Sequence, residues 1–516
     1  MLRRFIHSAA AVLSGHVIAR LGSLLLLPLF LRYWSAGPYG EYLALTAAAS
    51  YLAALDFGLH MAAVTRLTQA YARGDIREYR SCQHSALFLH LALAAGATLV
   101  VLAAALLLPF TPWLGLKEIT TPTARVVLIL AAMYVSWSMP SRLVTSLYQT
   151  TGNLARSQWI SNAQQIVYVG ITAGLLASGA GMIAIATVQV CMLAATTGFV
   201  LLDTRRKFVA IWPGISSASL AVIRSLLHPS ALFMLLLVAN FLTMQGAVLL
   251  VAARLGGVAV AVFSVTRTMV NLVREGLYSL QVALWPDLAR MEAVGEKANL
   301  RDVHRIVVAL SSALAIAVCA ALWFEGADVI SFWLRGRLQP SLTLLRVLLV
   351  YAALQAPWVA SSSIATATNR HRRYAVAYFA SSLLFLGVAG SLIPRFGLPA
   401  VGLGLLIGEA LACYHPVIRN TCQIIGEAYG RFAARLWAGF ALVAGLAFGV
   451  AWAVHELYAG PMVGRWLIVG VCTLAVSTTA AGLIWLTPFD RVRIFNRLAP
   501  VVPWSSARAS AAQVGQ

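Results

Sequence analysis

The sequence predicts an all-α, polytopic membrane protein of about fourteen transmembrane helices: two pseudo-symmetric six-helix lobes plus two C-terminal helices. Three observations predict it. Of 516 residues, 60% are hydrophobic and 11% charged, with mean hydropathy +0.82; a soluble domain carries roughly 25% charge. Apolar stretches long enough to cross a bilayer, which takes ~20 residues, recur along the whole chain. The two halves also resemble each other at an offset of roughly 217–224 residues. The ~10-residue alternating segments of a membrane β-barrel are not the pattern here.

The spans fall near 10–31, 41–63, 84–108, 124–147, 157–178, 182–203, 227–252, 257–284, 305–324, 341–364, 374–393, 398–418, 433–455 and 465–487. Arg3 and Arg4 before the first span imitate a signal peptide. His16 and Arg20 interrupt its apolar run and no small-residue cleavage site follows, so an uncleaved first span is expected. Asp56 interrupts the second span just before Gly58. Arg142 follows Pro140 in the fourth. The fifth opens with Ser161, Asn162, Gln164, Gln165 and Tyr168, and the seventh carries Asn240, Thr243 and Gln245. Glu409 lies in the twelfth. The stretches 64–83 and 285–305 are longer and mixed in charge, as surface amphipathic helices would be.

The repeat groups these spans. Pro140 to Asn153 parallels Pro357 to Asn369, each joining a fourth span of six to a fifth. Arg73-Gly74-Asp75 falls near Glu296-Lys297-Ala298, and Gly179-Ala180-Gly181 near Gly397-Leu398-Pro399. The expected organisation is an N-terminal lobe at 1–224, a C-terminal lobe at 225–420, extra spans at 421–487 and a polar tail at 488–516. Such repeats put a substrate site at their interface.

Arginine placement gives the orientation. With the N-terminus in the cytoplasm, cytoplasmic segments hold 25 of the 38 basic residues and the opposite side nine; Arg20, Arg142, Arg267 and Arg274 lie within spans. Both termini are therefore expected in the cytoplasm. The net charge of +21 is scattered between apolar spans, which argues against nucleic acid as a partner and for membrane lipids. The six cysteines form no CxxC pair, and neither a metal nor a cofactor is expected. There is no GxxxxGK[ST], HExxH or GxSxG motif, so the sequence offers no enzyme chemistry.

The stretch from Gly256 to Arg290 carries the strongest functional signal. At ~100° per residue, Asn271, Arg274, Tyr278 and Gln281 fall within about 40° of Arg267, with Glu275 at the stripe's edge. A charge facing mid-bilayer lipid costs at least ~2.5–3.5 kcal/mol. The stripe is therefore expected to face a water-filled cavity, a carboxylate or an anionic ligand. In the first span His16, Arg20 and Ser23 share a second face. Arg20, Arg267 and Arg274 are the expected binders of a di-anionic group such as pyrophosphate, since guanidinium forks take phosphate oxygens in pairs. His16, Asn271, Tyr278, Gln281, Asn162, Gln165 and Asn240 are the expected cavity lining; Asp56, Glu275 and Glu409 are the candidate ion-coupling acids. The competing readings are structural. Asp56 would pair with Arg20 or Arg267 to hold helices together. The amides of the fifth and seventh spans would be interhelical glue. Arg66 and Arg142, near span ends, would reach to headgroups.

In its spans and charges the chain resembles the polysaccharide-transport (Wzx-type, O-antigen or exopolysaccharide) flippases, of the superfamily that also holds the MATE antiporters and the lipid II flippases. The matching stretches are Pro38-Tyr39-Gly40-Glu41-Tyr42, Leu55-Asp56-Phe57-Gly58-Leu59 with Arg66, Gly256 to Ser264, Trp285-Pro286-Asp287-Leu288, and Phe396-Gly397 through Gly402-Leu403-Gly404. The resemblance implies paired lobes in a bacterial inner membrane that open alternately to either side. It implies an undecaprenyl-pyrophosphate-linked oligosaccharide as the lipid-linked cargo, with polysaccharide polymerase and chain-length proteins as partners. It also implies the phosphate-binding role of Arg20, Arg267 and Arg274. A MATE-type drug antiporter, a lipid II flippase and a membrane-embedded glycan polymerase are the alternatives.

Overall fold

The computed structural model describes residues 2–227, 231–368 and 370–485; the expected tail at 488–516 lies outside them. All regular structure among the described residues is helical. The helices are α1 (Leu2–Tyr33), α2 (Ala36–Ser50), α3 (Leu59–Ala72), α4 (Ile76–Leu107), the short α5 (Phe110–Trp113), α6 (Thr121–Thr150), α7 (Leu154–Ala177), α8 (Met182–Lys207) and α9 (Leu220–Leu227). They continue as α10 (Ala231–Leu255), α11 (Gly257–Ala293), α12 (Lys297–Trp333), α13 (Leu342–Ala367), α14 (Arg372–Phe396), α15 (Pro399–Glu409), α16 (His415–Ile425), α17 (Tyr429–Leu457) and α18 (Met462–Ile484). Among the described residues, eleven helices are long and apolar enough to cross a membrane, or twelve when α2 and α3 count as one span bent by 42°. α1 and α7, of 32 and 24 residues, occupy the other two expected positions. The protein is a multi-pass membrane protein.

The chain divides into two compact units. The first comprises Met1–Thr266, Ile330–Pro340 and Ser382–Gly404; the second comprises Arg267–Val329, Ser341–Ser381 and Leu405–Gln516. Within the first unit, α2 and the start of α11 meet backbone to backbone. A Cβ on Gly40 would lie 1.7 Å from the Gly257 carbonyl oxygen, and one on Gly257 would lie 2.5 Å from the Gly37 oxygen. Beside this crossing, the buried Glu41 carboxylate accepts hydrogen bonds from the backbone N–H groups of Lys117, Glu118 and Ile119, at 2.6, 2.9 and 2.8 Å. The Pro38–Tyr42 stretch is thus a packing motif. Gly40 permits the close approach, and Glu41 satisfies the donors of the loop leading into α6.

The second span is broken where Asp56 and Gly58 stand. A 3-10 turn over Tyr51–Asp56 follows α2, and then Phe57 (φ 47°) and Gly58 (φ 74°) both adopt left-handed backbone. Glycine takes this geometry without a Cβ penalty; Phe57 does not, which stores strain next to Asp56.

The second unit is laced by polar contacts between helices. His304 of α12 bonds Ser361 of α13 at 3.0 Å, and Thr421 of α16 donates to the Ser361 carbonyl at 2.9 Å. Buried Glu325 of α12 accepts from Arg465 of α18 at 3.0 Å and contacts His455 of α17 at 2.7 Å; Arg465 also reaches Asp328 at 2.9 Å.

Three expectations are corrected. The stretches 64–83 and 285–305 are not separate surface helices. Spanning helices run through them and meet at tight turns around Gly74 (φ 74°) and Gly295 (φ 77°). The two turns share one pattern: Gly74 N–H bonds Tyr71 O and Asp75 N–H bonds Ala70 O, as Gly295 N–H bonds Glu292 O and Glu296 N–H bonds Met291 O. Gly74 therefore matches Gly295, a slip of two residues from the register the sequence suggests. Lastly, Arg66 does not reach for headgroups: it pairs with Glu78 at 3.0 Å and donates to Ser225 at 2.9 Å.

Candidate functional site

In the second unit the described part of the α11 stripe, Arg267, Asn271 and Arg274, faces protein. Arg274 Nη1 lies 3.4 Å from the Asn271 Oδ1 acceptor, so the two share a face as their spacing requires. Arg267 and Arg274 both act electrostatically on Tyr351 of α13, and Arg274 acts also on Tyr378 of α14, Glu409 of α15 and its neighbour Glu275. Both arginines, Asn271 and Glu275 are partly buried. The side chains of Tyr278 and Gln281, further along the stripe, lie outside the described residues.

Glu409 is the centre of this site. Its Oε1 accepts from Tyr351 Oη at 2.8 Å and from Gln355 Nε2 at 2.8 Å, and its Oε2 accepts from Trp358 Nε1 at 3.0 Å. Gln355 Nε2 also donates to Tyr351 Oη at 2.9 Å. The three donors stand at i, i+4 and i+7 on α13, the spacing Arg267, Asn271 and Arg274 have on α11. The α13 stripe thus holds one carboxylate through its three donors, and the α11 stripe reaches it through Arg274. Just after Glu409 the helix opens into a π-turn, Ala410–Tyr414, before resuming as α16. Such π-segments offset the helix face and gather at functional sites. The sequence places Glu409 in a distant span, whereas the structure brings it within electrostatic reach of Arg274. The stripe is accordingly less one-sided in charge than expected.

The first unit holds a polar cavity of about 530 Å³, walled by α3, α6, α7, α8 and α10. Arg142, His60, Ser138, Gln149, Gln164 and Gln245 line it. Arg142 is exposed on this wall, a role the sequence reading did not give it. Asp56, at the break of the second span, bonds His90 of α4 at 2.8 Å, with His60 and Arg142 near enough to act on its charge. Its hydrogen-bond partner is this buried histidine and not an arginine.

The remaining expected residues of this unit are placed as follows. Asn162, expected in a cavity lining, is buried and committed to joining α7 to α1. Its amide donates to Ala11 O at 3.0 Å and Ser14 Oγ at 3.1 Å, and its oxygen accepts from Gln158 at 3.0 Å. Gln165 is half-buried on α7 facing Gly22 of α1, Asn240 is exposed on α10, and Arg20 is partly buried on α1. The side chain of His16 lies outside the described ones. Among the described residues no group of three or more His, Cys, Asp or Glu side chains is arranged to hold a metal.

Sequence reasoning missed His90, Tyr351, Gln355 and Trp358. The α13 triplet stands at helical spacing on a span with an interior proline, but Tyr, Gln and Trp at that spacing read as ordinary core. His90 carried no signal, because one histidine in an apolar run has no periodicity to betray its partner.

No known protein-family description matches the sequence, and no curated protein matches it. The fold has solved counterparts. An inward-facing multidrug resistance MATE family transporter of the MOP superfamily superposes with a TM-score of 0.67 at 15% identity, over 79% of this chain and 98% of that one. The lipid II flippase MurJ, in an inward closed conformation, superposes with a TM-score of 0.61 at 11% identity, over 91% of this chain and 98% of that one. A MOP superfamily transporter from Pyrococcus furiosus, whose binding pocket is described as reversed in polarity, gives 0.56 at 14% identity, over 82% and 96%. At these identities the likeness is one of fold.

Proposed function

We propose that the chain is a flippase that moves an undecaprenyl-pyrophosphate-linked oligosaccharide across a bacterial inner membrane by alternating access, for assembly of a surface polysaccharide. One observation carries this reading: Arg267 and Arg274 stand on one protein-facing stripe of a membrane-spanning helix. Guanidinium groups withheld from lipid are costly unless an anion or polar groups receive them. Their planar forks suit the oxygens of a pyrophosphate better than a lysine would. In this reading the two arginines neutralise the pyrophosphate while the polyprenyl chain stays in lipid. Hydroxyls and amides such as those lining the cavity of the first unit accommodate sugars. Asp56, paired with His90, and Glu409, set among three donors, are the acids suited to hold a coupling proton or cation. Polysaccharide polymerase and chain-length proteins would receive the product.

The lipid II flippase and the MATE-type antiporter are the alternative readings, and both have the fold found here. Arg267→Ala with Arg274→Ala should abolish glycan export in cells while the protein still inserts at wild-type level. Full export by that double variant rejects the proposal. Rescue of a strain lacking its lipid II flippase would move the assignment to peptidoglycan precursor.

A further inference from the structure

A second cationic cavity lies in the second unit, at the end of the helices opposite the Glu325 cluster. It measures about 400 Å³ and is formed by the start of α12, the connection between α16 and α17, the start of α17 and Trp485. Arg301 and Arg305 stand one turn apart on α12, and Arg431 and Arg435 one turn apart on α17, so each pair shares a face. Among the described lining residues the sole carboxylate is Glu427, and it is already engaged. Arg305 Nη2 and Nε hold its Oε1 at 2.5 and 2.8 Å, and His304 Nδ1 lies 3.9 Å from Oε2. Arg301, Arg431 and Arg435 have no ion-pair partner among the described residues. Three unmatched guanidiniums converging on one cavity repel each other unless an anion enters.

The rest of the wall is apolar: Val308, Phe432, Leu436 and the buried ring of Trp485, whose indole N–H donates to the Arg435 carbonyl at 3.3 Å. Tryptophan at the end of a membrane helix marks the headgroup level. A lining that is cationic on one side and aromatic on the other fits an ester phosphate with an acyl chain attached; an inorganic ion would leave the apolar wall wet. The chain's own residues 486–516 are poor occupants, because their side chains carry Arg491, Arg493, Arg497 and Arg508 against Asp490 alone.

We propose that this cavity binds the phosphate headgroup of an anionic phospholipid, as a site distinct from the α11 stripe. It ties the α12–α17 contact to the charge of the surrounding leaflet, and it stands whether or not the transport reading is right.

The test uses the full chain purified in detergent and mixed with phosphatidylglycerol or phosphatidylcholine, with retained lipid counted by native mass spectrometry. Wild type should keep phosphatidylglycerol in preference to phosphatidylcholine. Each of Arg431→Gln and Arg435→Gln, at exposed positions whose loss leaves no described carboxylate unpaired, should lower phosphatidylglycerol retention about fivefold, the value of one basic charge at a headgroup. Arg431→Lys and Arg435→Lys keep the charge and should keep most of the retention. Inorganic phosphate at the same concentration should neither compete nor raise the melting temperature. Retention unchanged in both Gln variants overturns the proposal. Equal stabilisation by inorganic phosphate overturns the lipid as the source and leaves a simple anion site.

Discussion

Glu409 is held by three neutral donors from one helix, and each would be left wanting if the carboxylate were replaced. Glu409→Gln puts an amide NH2 where an oxygen now accepts, so either the Trp358 N–H or the Tyr351 and Gln355 donors face a donor. A buried polar group so stranded costs about 1–3 kcal/mol. We expect Glu409→Gln to lower the melting temperature in detergent and to slow glycan export together. Tyr351→Phe removes one donor and leaves the carboxylate the other two, so it should cost less. Wild-type stability in Glu409→Gln would show that the cluster does not fix the carboxylate. This site was half legible beforehand. Arg267, Asn271 and Arg274 announce themselves because charges in an apolar run are conspicuous and their spacing gives a face. The partner face on α13 reads as ordinary core, since Tyr, Gln and Trp are tolerated in any bundle. What joins the two is tertiary packing, which no periodicity within one helix encodes.

At the level of elements, glycines and short polar links decide where helices meet. Gly40→Ala places a methyl group 1.7 Å from a backbone oxygen, and neither backbone can yield without moving α2 or α11. We expect at least the ~1–3 kcal/mol typical of overpacking, read as a lower melting temperature and poor expression. Gly96→Ala, in α4 with nothing within 4 Å of the added carbon, is the control and should be neutral or mildly stabilising. The Pro38–Tyr42 stretch was visible as a motif, but its reason, a helix crossing beside a carboxylate-capped loop, is a long-range contact. Glu427 ties the α16–α17 connection to α12. Burial raises its pKa, but the hydrogen bonds from Arg305 and the nearness of His304 outweigh burial and hold the carboxyl below the usual carboxylate range. A carboxyl depressed in the folded state adds stability above its unfolded pKa, about 4.3, and loses it as pH falls through the lower folded value. Glu427→Gln should therefore cost about 1–2 kcal/mol at neutral pH, allowing for partial exposure of Arg305. The gap between variant and wild type should close below about pH 4. A pH-independent gap in thermal unfolding would assign the loss to packing instead.

For the molecule as a whole, the hydrophobic count and the arginine distribution carry most of the fold. Every stretch expected to span meets a helix or a broken helix, because ~20 apolar residues in lipid have no other way to satisfy their backbone. The breaks at Phe57-Gly58 and after Glu409 were not legible as such: Asp56-Phe57-Gly58 suggested an interruption, whereas a π-turn leaves no residue signature. Orientation is the part that still rests on charge alone. With 25 basic residues assigned to one side and nine to the other, the bias is repeated at nearly every connection, so no single loop decides it. An even number of crossings then returns the chain to the side it began on. Green fluorescent protein fused after Gln516 should fluoresce, and alkaline phosphatase fused there should be inactive. Phosphatase inserted at the turn following α12, near Arg335 and Arg337, should be active, since an odd number of crossings precedes it. Active phosphatase at Gln516 would mean that one expected crossing is absent. The weakest candidates are α1 and α7, which carry Arg20 and the run Asn162, Gln164 and Gln165 in their apolar stretches. Phosphatase inserted at the turns before and after each would show which of them fails to cross.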